Sequence, residues 1–324
     1  MSAPLATVAV ISIGEMGLGV ARLLQAHNYH VISNISGRSP ATYKRAESIG
    51  LTLLPNDTQL VQQADYILSI VPPRDALATA ERVVTALKAS AVTEAPSKKE
   101  PLFFLDLNAI SPRSAREIGD LFVKYSTNAH AGARELRFVD GGIIGGPPKE
   151  AADGKGFVRP SIPLSGPYQL PSAPLAELLN TKWVGDAIGT ASGLKMCFAS
   201  LTKGLTALAT QSFSTAEYLG VLPELQAHLE AYSPKTKELA ERGIVGMQHK
   251  AYRWVREMQE IGDTFETDGG WPGSKGVFGE ISEVYKIVAE ETSIKDGAKG
   301  KDVKEVVGIL EAGLEGRRGK VKSE

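Results

Sequence analysis

The chain has 324 residues, of which 43% are hydrophobic and 23% charged, the balance of an ordinary globular protein. Its 36 basic and 37 acidic side chains leave a formal net charge of −1, which offers neither a nucleic-acid surface nor a polybasic membrane anchor. The length suits two domains, and the single cysteine, Cys197, excludes an intrachain disulfide and fits a reducing compartment.

No Lys or Arg precedes Arg22, so the apolar N-terminus lacks the positive flank of a signal peptide. The least polar stretch, Ala187–Phe213, carries Lys195 and Lys203 near its middle, which argues against a membrane span. The expectation is a cytoplasmic protein.

In chain order, short β-branched runs alternate with helical patterns, as βαβ units require. Thr7–Ile13 reads as a buried strand and Met16–His27 as a helix; His30–Ser33 is a second strand, followed by a helix around Pro40–Ser48. Tyr66–Val71 and Leu102–Leu107 are further apolar strands, and Val92–Pro101 is a polar loop. Ser111 caps a helix that has Pro112 in its first turn. Arg137–Asp140 is another strand, running into the Gly/Pro cluster Gly141–Pro148. From Ala187 the pattern turns helical: four or five segments to about Leu314, then Glu315–Glu324 with the composition of a frayed terminus. The fold class predicted is an α/β Rossmann domain (residues 1–186) followed by an all-α domain (187–324), joined by a long helix over Gly189–Gly220.

Thr7–Gly19 reads TVAVISIGEMGLG, a strand, a tight turn and a helix. Ser12, Gly14 and Gly17 occupy the three glycine positions of a dinucleotide fingerprint. The middle glycine admits a pyrophosphate to the helix N-terminus, and the third permits close helix–strand packing. Ser12 departs from the pattern. The segment after the second strand, Ile32–Ser39, has no acid to hold a ribose 2′-OH; Arg38 can instead fork onto a 2′-phosphate, with Ser39 donating beside it. These residues favour NADPH, on a face of Gly14, Glu15, Met16, Arg38 and Ser39. Val71-Pro72 closes the strand nearest the nicotinamide ribose, and Asn108 ends the next, where ligands of open parallel sheets collect.

On the long helix, Ser192, Lys195, Thr202, Lys203 and Thr206 fall within one stripe at 100° per residue. A stripe with two ammonium groups on an otherwise apolar helix must meet water, acids or a bound anion. Lys195 and Lys203 lie about 12 Å apart along the axis, so one small substrate does not touch both unless the side chains lean together. A desolvated lysine has a lowered pKa and can serve as general acid.

With these pieces in place the chain resembles the β-hydroxyacid dehydrogenase superfamily, in its 6-phosphogluconate dehydrogenase-like branch, related to the imine reductases. The matching segments are SIGEMGLGVA (12–21), Gly37-Arg38-Ser39, FLDLNAISP (104–112), DGGIIGGPPKEAADG (140–154) and GTASGLKM (189–196). The resemblance implies a Rossmann domain, a helical domain that dimerises, Lys195 as catalytic lysine, Gly145-Gly146 in the substrate loop and Asn108 as the polar residue after the fifth strand. Two family positions differ: Ile144 stands where Ser usually binds a carboxylate, and Ala199 where Asn follows the lysine. That argues against a small carboxylate held in the usual way and against 6-phosphogluconate itself.

In the C-terminal half, Trp254, Met258 and Ile261 follow helical spacing and read as packing. His249 or Tyr252 is placed to line a pocket, and Trp271 to cap a hydrophobic substrate. The histidines (27, 30, 130, 228 and 249) show no ligand spacing, so no metal is expected. The function expected is an NADPH-dependent oxidoreductase acting on a small-molecule carbonyl or hydroxyl substrate, with Lys195 as general acid/base and Asn108 positioning the substrate, as a homodimer. Two alternatives stand beside it: reduction of a C=N substrate, and a non-catalytic NADPH-binding protein.

Overall fold

The computed structural model describes residues 3–93, 98–129 and 133–321. It divides into two compact units, Met1–Lys195 and Met196–Glu324.

In the first unit, helices alternate with the strands of a parallel sheet: β1 (Thr7–Ile11), α1 (Glu15–Ala26), β2 (His30–Ser33), α2 (Pro40–Glu47), β3 (Thr52–Leu53), α3 (Asp57–Gln63), β4 (Tyr66–Ser69), α4 (Ala76–Thr93), β5 (Leu102–Asp106), α5 (Pro112–Thr127) and β6 (Leu136–Gly141). A small hairpin, β7 (Lys149–Glu150) with β8 (Phe157–Val158), precedes β9 (Ile162–Ser165), α6 (Ala173–Leu178) and β10 (Thr181–Gly185). The eight-stranded sheet runs β10-β9-β6-β5-β4-β1-β2-β3, parallel throughout except where β9 meets β6. After β3 the chain crosses β1 to lay down β4 on its other side. The C-terminal ends of β1 and β4 therefore flank a topological switch point, where such sheets take their ligands.

The central strands β1, β4, β5 and β6 are buried on both faces, and their side chains alternate between two cores. Val8, Val10, Leu68, Leu105 and Val139 fill one, while Ala9, Ile11, Ile67, Phe104 and Phe138 fill the other. In the second, Phe122 meets Phe104 and Phe138 edge-on, with ring centroids 5.1 and 5.5 Å apart. The strand expected over Thr7–Ile13 ends at Ile11, because Ser12 leaves it with φ +80°. Strands β9 and β10 go beyond the expected elements: Pro163 sits inside one, and the other is only half buried. Part of the loop expected over Val92–Pro101, residues 94–97, lies outside the described residues, as does His130.

Helix α7 (Thr190–Tyr218) begins in the first unit and continues into the second. The second unit goes on through α8 (Leu222–Tyr232), α9 (Pro234–Met247), α10 (Ala251–Asp263), a π-helical segment (Thr264–Asp268), α11 (Ser274–Glu290) and α12 (Val303–Val321). Among the described residues, six α-helices thus replace the four or five expected, and α12 reaches into the tail that read as frayed. The core includes Phe213, Ile244, Met247, Met258, Ile261 and Tyr285, with Trp254 edge-on to Tyr285 at 5.1 Å. Trp254, Met258 and Ile261 are buried, as their spacing implied. Buried Gln248 acts as a side-chain splice: its amide donates to the Gly300 carbonyl (2.9 Å) and accepts from the Gly300 N–H (2.8 Å). Among the described residues no helix is long and apolar enough to cross a membrane.

Candidate active site

The turn after β1 is shaped by backbone conformation. Ser12, at the first fingerprint position, adopts φ +80°, a left-handed conformation that glycine accepts more easily. Gly17 is required by contact: a Cβ there would lie 2.0 Å from the Ser12 carbonyl oxygen. Gly14 is the N-cap of α1 and supplies no side-chain cap, whereas Asn56, Ser111 and Ser172 cap α3, α5 and α6 with their own side chains. Glu15 and Met16 form the first turn of α1. An uncapped helix N-terminus behind a glycine turn, at the end of β1, fits the pyrophosphate of a dinucleotide.

A second uncapped N-terminus is that of α2, where the Ser39 hydroxyl lies 3.2 Å from the Thr42 hydroxyl instead of bonding a backbone N–H. Arg38 and Ser39 are exposed in the turn leading into it. Arg45, on α2, donates from Nε to the Ile13 carbonyl (2.6 Å) and from its fork to Thr42 (3.1 Å). An acid does approach this loop from α3: Asp57 accepts from Asn34 Nδ2 at 2.7 Å. Both its oxygens, however, are held by Arg82 at 2.9–3.0 Å.

At the ends of β4 and β5, Asn108 is buried and heavily bonded. Its amide oxygen accepts from the Val71 N–H (2.7 Å), and its Nδ2 donates to Ser69 (3.0 Å) and Asp106 (2.8 Å). This ties the strand ends together and fixes Val71, with Pro72 exposed next to it. Asp106 is wholly buried; desolvation pushes its carboxyl up to about 7, reinforced by the charge of Asp140 and opposed by the bonds from Asn108.

Asp140 lies beside Asp106 in the β5–β6 register and clasps the start of α7. Its carboxylate accepts from the Gly189 N–H (2.9 Å), the Ser192 N–H (3.2 Å), the Ser192 hydroxyl (2.5 Å) and the Ser165 hydroxyl (2.8 Å). Ser165 Oγ also accepts from the Ala191 N–H at 2.9 Å, so β6 and β9 together cap the helix. Burial raises the Asp140 pKa, and these hydrogen bonds work against that.

One turn past Ser192, Lys195 Nζ donates to the Ile143 carbonyl at 2.6 Å. The Asp140–Ser192 and Ile143–Lys195 ties both span 52 residues, so the helix runs alongside the loop in step. Gly142 lets the lysine stem lie against the loop, since a Cβ there would be 2.9 Å from Lys195 Cβ. Ile144 is bonded through its backbone in both directions to Ser161 (2.8 and 2.9 Å), and Gly145 follows with φ +129°. Gly145 and Gly146 are exposed.

The structure thus gathers Ser12, Gly14–Gly17, Val71, Pro72, Asn108, Gly145, Gly146 and Lys195 around loops at one end of the sheet. Lys203, His249 and Trp271 belong to the second unit. There the Lys203 ammonium pairs with buried Glu257 and lies 5.3 Å from the Trp254 ring centroid; His249 and Trp271 are exposed, outside the helices. Sequence reading missed Arg45, Asp106, Asp140, Ser165 and the capping role of Ser192. Carboxylates closing otherwise apolar strands were the available signal, because a buried acid needs partners.

Residues 7–96 match the family described as NADP oxidoreductase coenzyme F420-dependent, and residues 216–288 match Domain of unknown function (DUF1932). An uncharacterised 28.5 kDa protein of Methanothermus fervidus is 26% identical over 258 residues, covering 78% of this chain and 88% of that one. A conserved protein of unknown function, whose structure is described as similar to 3-hydroxyacid dehydrogenases, is 25% identical with a TM-score of 0.57 over 87% of this chain and 97% of that one. Mycobacterium tuberculosis 3-hydroxyisobutyrate dehydrogenase with L-serine shares the fold, at TM-score 0.59 and 16% identity, over 88% of this chain and 94% of that one. The fold is the one seen in these hydroxyacid dehydrogenase-like structures, the architecture that the motifs' resemblance implied. The family match over residues 7–96 and the shared fold support an oxidoreductase that uses a nicotinamide dinucleotide.

Proposed function

We propose that the chain is an NADPH-dependent reductase of a small carbonyl compound, or the reverse dehydrogenase, with Lys195 as proton donor and acceptor. The observation that carries this reading is the doubly tied turn of α7, which brings the Lys195 ammonium against the Ile143 carbonyl beside the Gly145-Gly146 loop. A bound nicotinamide supplies the hydride in reduction and accepts it in oxidation. As hydride reaches the carbonyl carbon, the C=O π pair moves to oxygen, and Lys195 Nζ delivers the proton there. Asn108, its amide engaged by Val71, Ser69 and Asp106, serves as a positioning residue that fixes the Val71 backbone, which would border a bound nicotinamide ribose. The choice of NADPH is supported by exposed Arg38 and Ser39 at the uncapped start of α2, and by an Asp57 already held by Arg82. Ile144 would lend the loop a weakly polar substrate surface, whereas Lys203 is engaged by Glu257 within the helical unit.

The test is NADPH oxidation against a panel of 2- and 3-oxo acids, semialdehydes, apolar ketones and cyclic imines. Lys195→Ala should lower turnover about 100-fold or more with NADPH affinity nearly unchanged; equal turnover removes Lys195 from the mechanism. Arg38→Ala should weaken NADPH and spare NADH.

A second reading, reduction of C=N substrates, is favoured by Ile144 and Ala199 at positions where two polar contacts are lost, since an iminium needs no carboxylate clamp. Turnover confined to the imines of the panel would establish it. Binding of NADPH with no turnover of any panel member would instead favour the non-catalytic alternative. A homodimer is supported by the exposed Leu194, Phe198, Leu201 and Leu208, which share one face of α7. Sedimentation should then give twice the 34.5 kDa chain mass.

A further inference from the structure

Between the starts of α2 and α1 runs a continuous chain of hydrogen bonds. The Ser39 hydroxyl at the α2 N-cap lies 3.2 Å from that of Thr42; Thr42 Oγ1 accepts from the Arg45 fork at 3.1 Å; Arg45 Nε donates to the Ile13 carbonyl at 2.6 Å. Ile13 stands between Ser12, with its φ of +80°, and Gly14, the N-cap of α1. A trans peptide is planar, so holding the Ile13 C=O toward Arg45 directs the Gly14 N–H the opposite way. Gly17 meets the same turn from the helix side, against the Ser12 carbonyl. The turn is therefore pinned at two successive carbonyls, Ser12 by contact and Ile13 by a charged donor. Arg45 is half-buried against this turn, whereas Arg38 is exposed.

We propose that Arg45 is a positioning residue of the dinucleotide site: it fixes the pyrophosphate turn for either nicotinamide dinucleotide and ties that turn to the loop expected to meet a 2′-phosphate. This rests on the cofactor reading above and extends it to a residue outside the fingerprint. The roles of the two arginines then divide. Arg38 selects NADPH over NADH; Arg45 sets the affinity for both. A lysine at position 45 keeps the charge but loses the fork that reaches two acceptors at once.

The test is the Kd of NADPH and of NADH, by calorimetry, for wild type, Arg38→Ala, Arg45→Ala and Arg45→Lys. Binding is measured well below each variant's melting temperature, so that a shift in folded fraction does not enter. Arg45→Ala should raise both Kd values by a similar factor, about 10-fold or more, and Arg45→Lys should recover little of that. Arg38→Ala should raise the NADPH value alone. If Arg45→Ala does not fold, Thr42→Val cuts the same chain at its middle and should weaken both dinucleotides in the same direction. Unchanged NADH affinity in the Arg45 variants, or full recovery with lysine, overturns the proposal. Loss of NADPH affinity alone also overturns it and moves Arg45 into the 2′-phosphate pocket. A wild type that binds neither dinucleotide defeats the cofactor reading and this inference together, whereas tight wild-type binding with indifferent Arg45 variants defeats the inference alone.

Discussion

Replacing Asp106 by Asn turns a buried titration into a measurable difference. Asp106 is fully buried and its carboxyl is pushed up to about 7 from 3.8, by desolvation first and by the neighbouring Asp140 charge, against the bonds from Asn108. The folded state thus holds this proton more tightly than the unfolded chain does. The associated stability is present at low pH and is lost as pH rises through about 7. A rise of that size corresponds to ~4 kcal/mol in total, of which roughly 3 kcal/mol falls between pH 5 and pH 8. The amide of the Asp106→Asn variant does not titrate. Urea unfolding of both proteins at half-unit steps should therefore show wild type losing ground to the variant by that amount across the same interval. Any fixed penalty from the altered bonding to Asn108 offsets the variant's curve without tilting it. Parallel curves would refute the reasoning and mean that water or rearranged donors keep Asp106 ionised at neutral pH.

Gly17→Ala drives a Cβ to 2.0 Å from the Ser12 carbonyl oxygen, so α1 or the turn must move. A loss of about 1–3 kcal/mol or more is expected in thermal or denaturant melts, together with weaker dinucleotide binding. Gly142→Ala intrudes on the Lys195 stem at 2.9 Å; turnover should drop about tenfold or more while NADPH affinity stays near wild type. In the second unit, Glu257→Leu removes the buried carboxylate that meets the Lys203 ammonium, whose side chain is only 14% exposed, which should cost about 3–5 kcal/mol. The double variant Lys203→Met/Glu257→Leu should regain most of it, and no regain would mean that Glu257 acts through other contacts.

The architecture was largely legible because its signals are local. Strand burial on both faces, the glycine turn and the helical period from Thr190 onward are properties of contiguous residues. What escaped depends on contacts across the sequence. Strand β9 reads poorly because Pro163 interrupts it, yet its place is fixed by antiparallel pairing of Ser165 with Asp140. Arg45 looks like one of two basic residues ending a surface helix, and only the fold carries it to Ile13. Lys203 shared a polar stripe with Lys195, but helical angles do not reveal that Glu257 on α10 meets it. Asn108 was visible as a polar residue ending a strand, while its engagement with Val71, Ser69 and Asp106 required β4 and β5 to be seen side by side.

In the proposed function the two departures from the pattern of the resembled family act on recognition, while the surroundings of Lys195 are built from main chain and buried carboxylate. The loop at Gly141–Gly146 takes its shape from steric fit and backbone pairing: Gly141 packs under Leu107 and Leu164, Gly142 under the Lys195 stem, and Ile144 bonds Ser161 through its peptide groups alone. A side chain at position 144 is therefore replaceable without disturbing the loop, and exchanging a hydroxyl for a branched alkyl group there alters what the loop offers a ligand, not where it lies. The helix is held likewise by Asp140 and Ser165 through the Gly189, Ala191 and Ser192 N–H groups, none of which involves positions 144 or 199. The proposed proton delivery and substrate choice can then vary independently. Restoring polarity with Ile144→Ser should shift the preferred members of the substrate panel toward oxo acids while leaving dinucleotide affinity and melting temperature near wild type. If the variant instead loses stability by several kcal/mol, the loop depends on the Ile144 side chain, and the separation of scaffold from recognition fails.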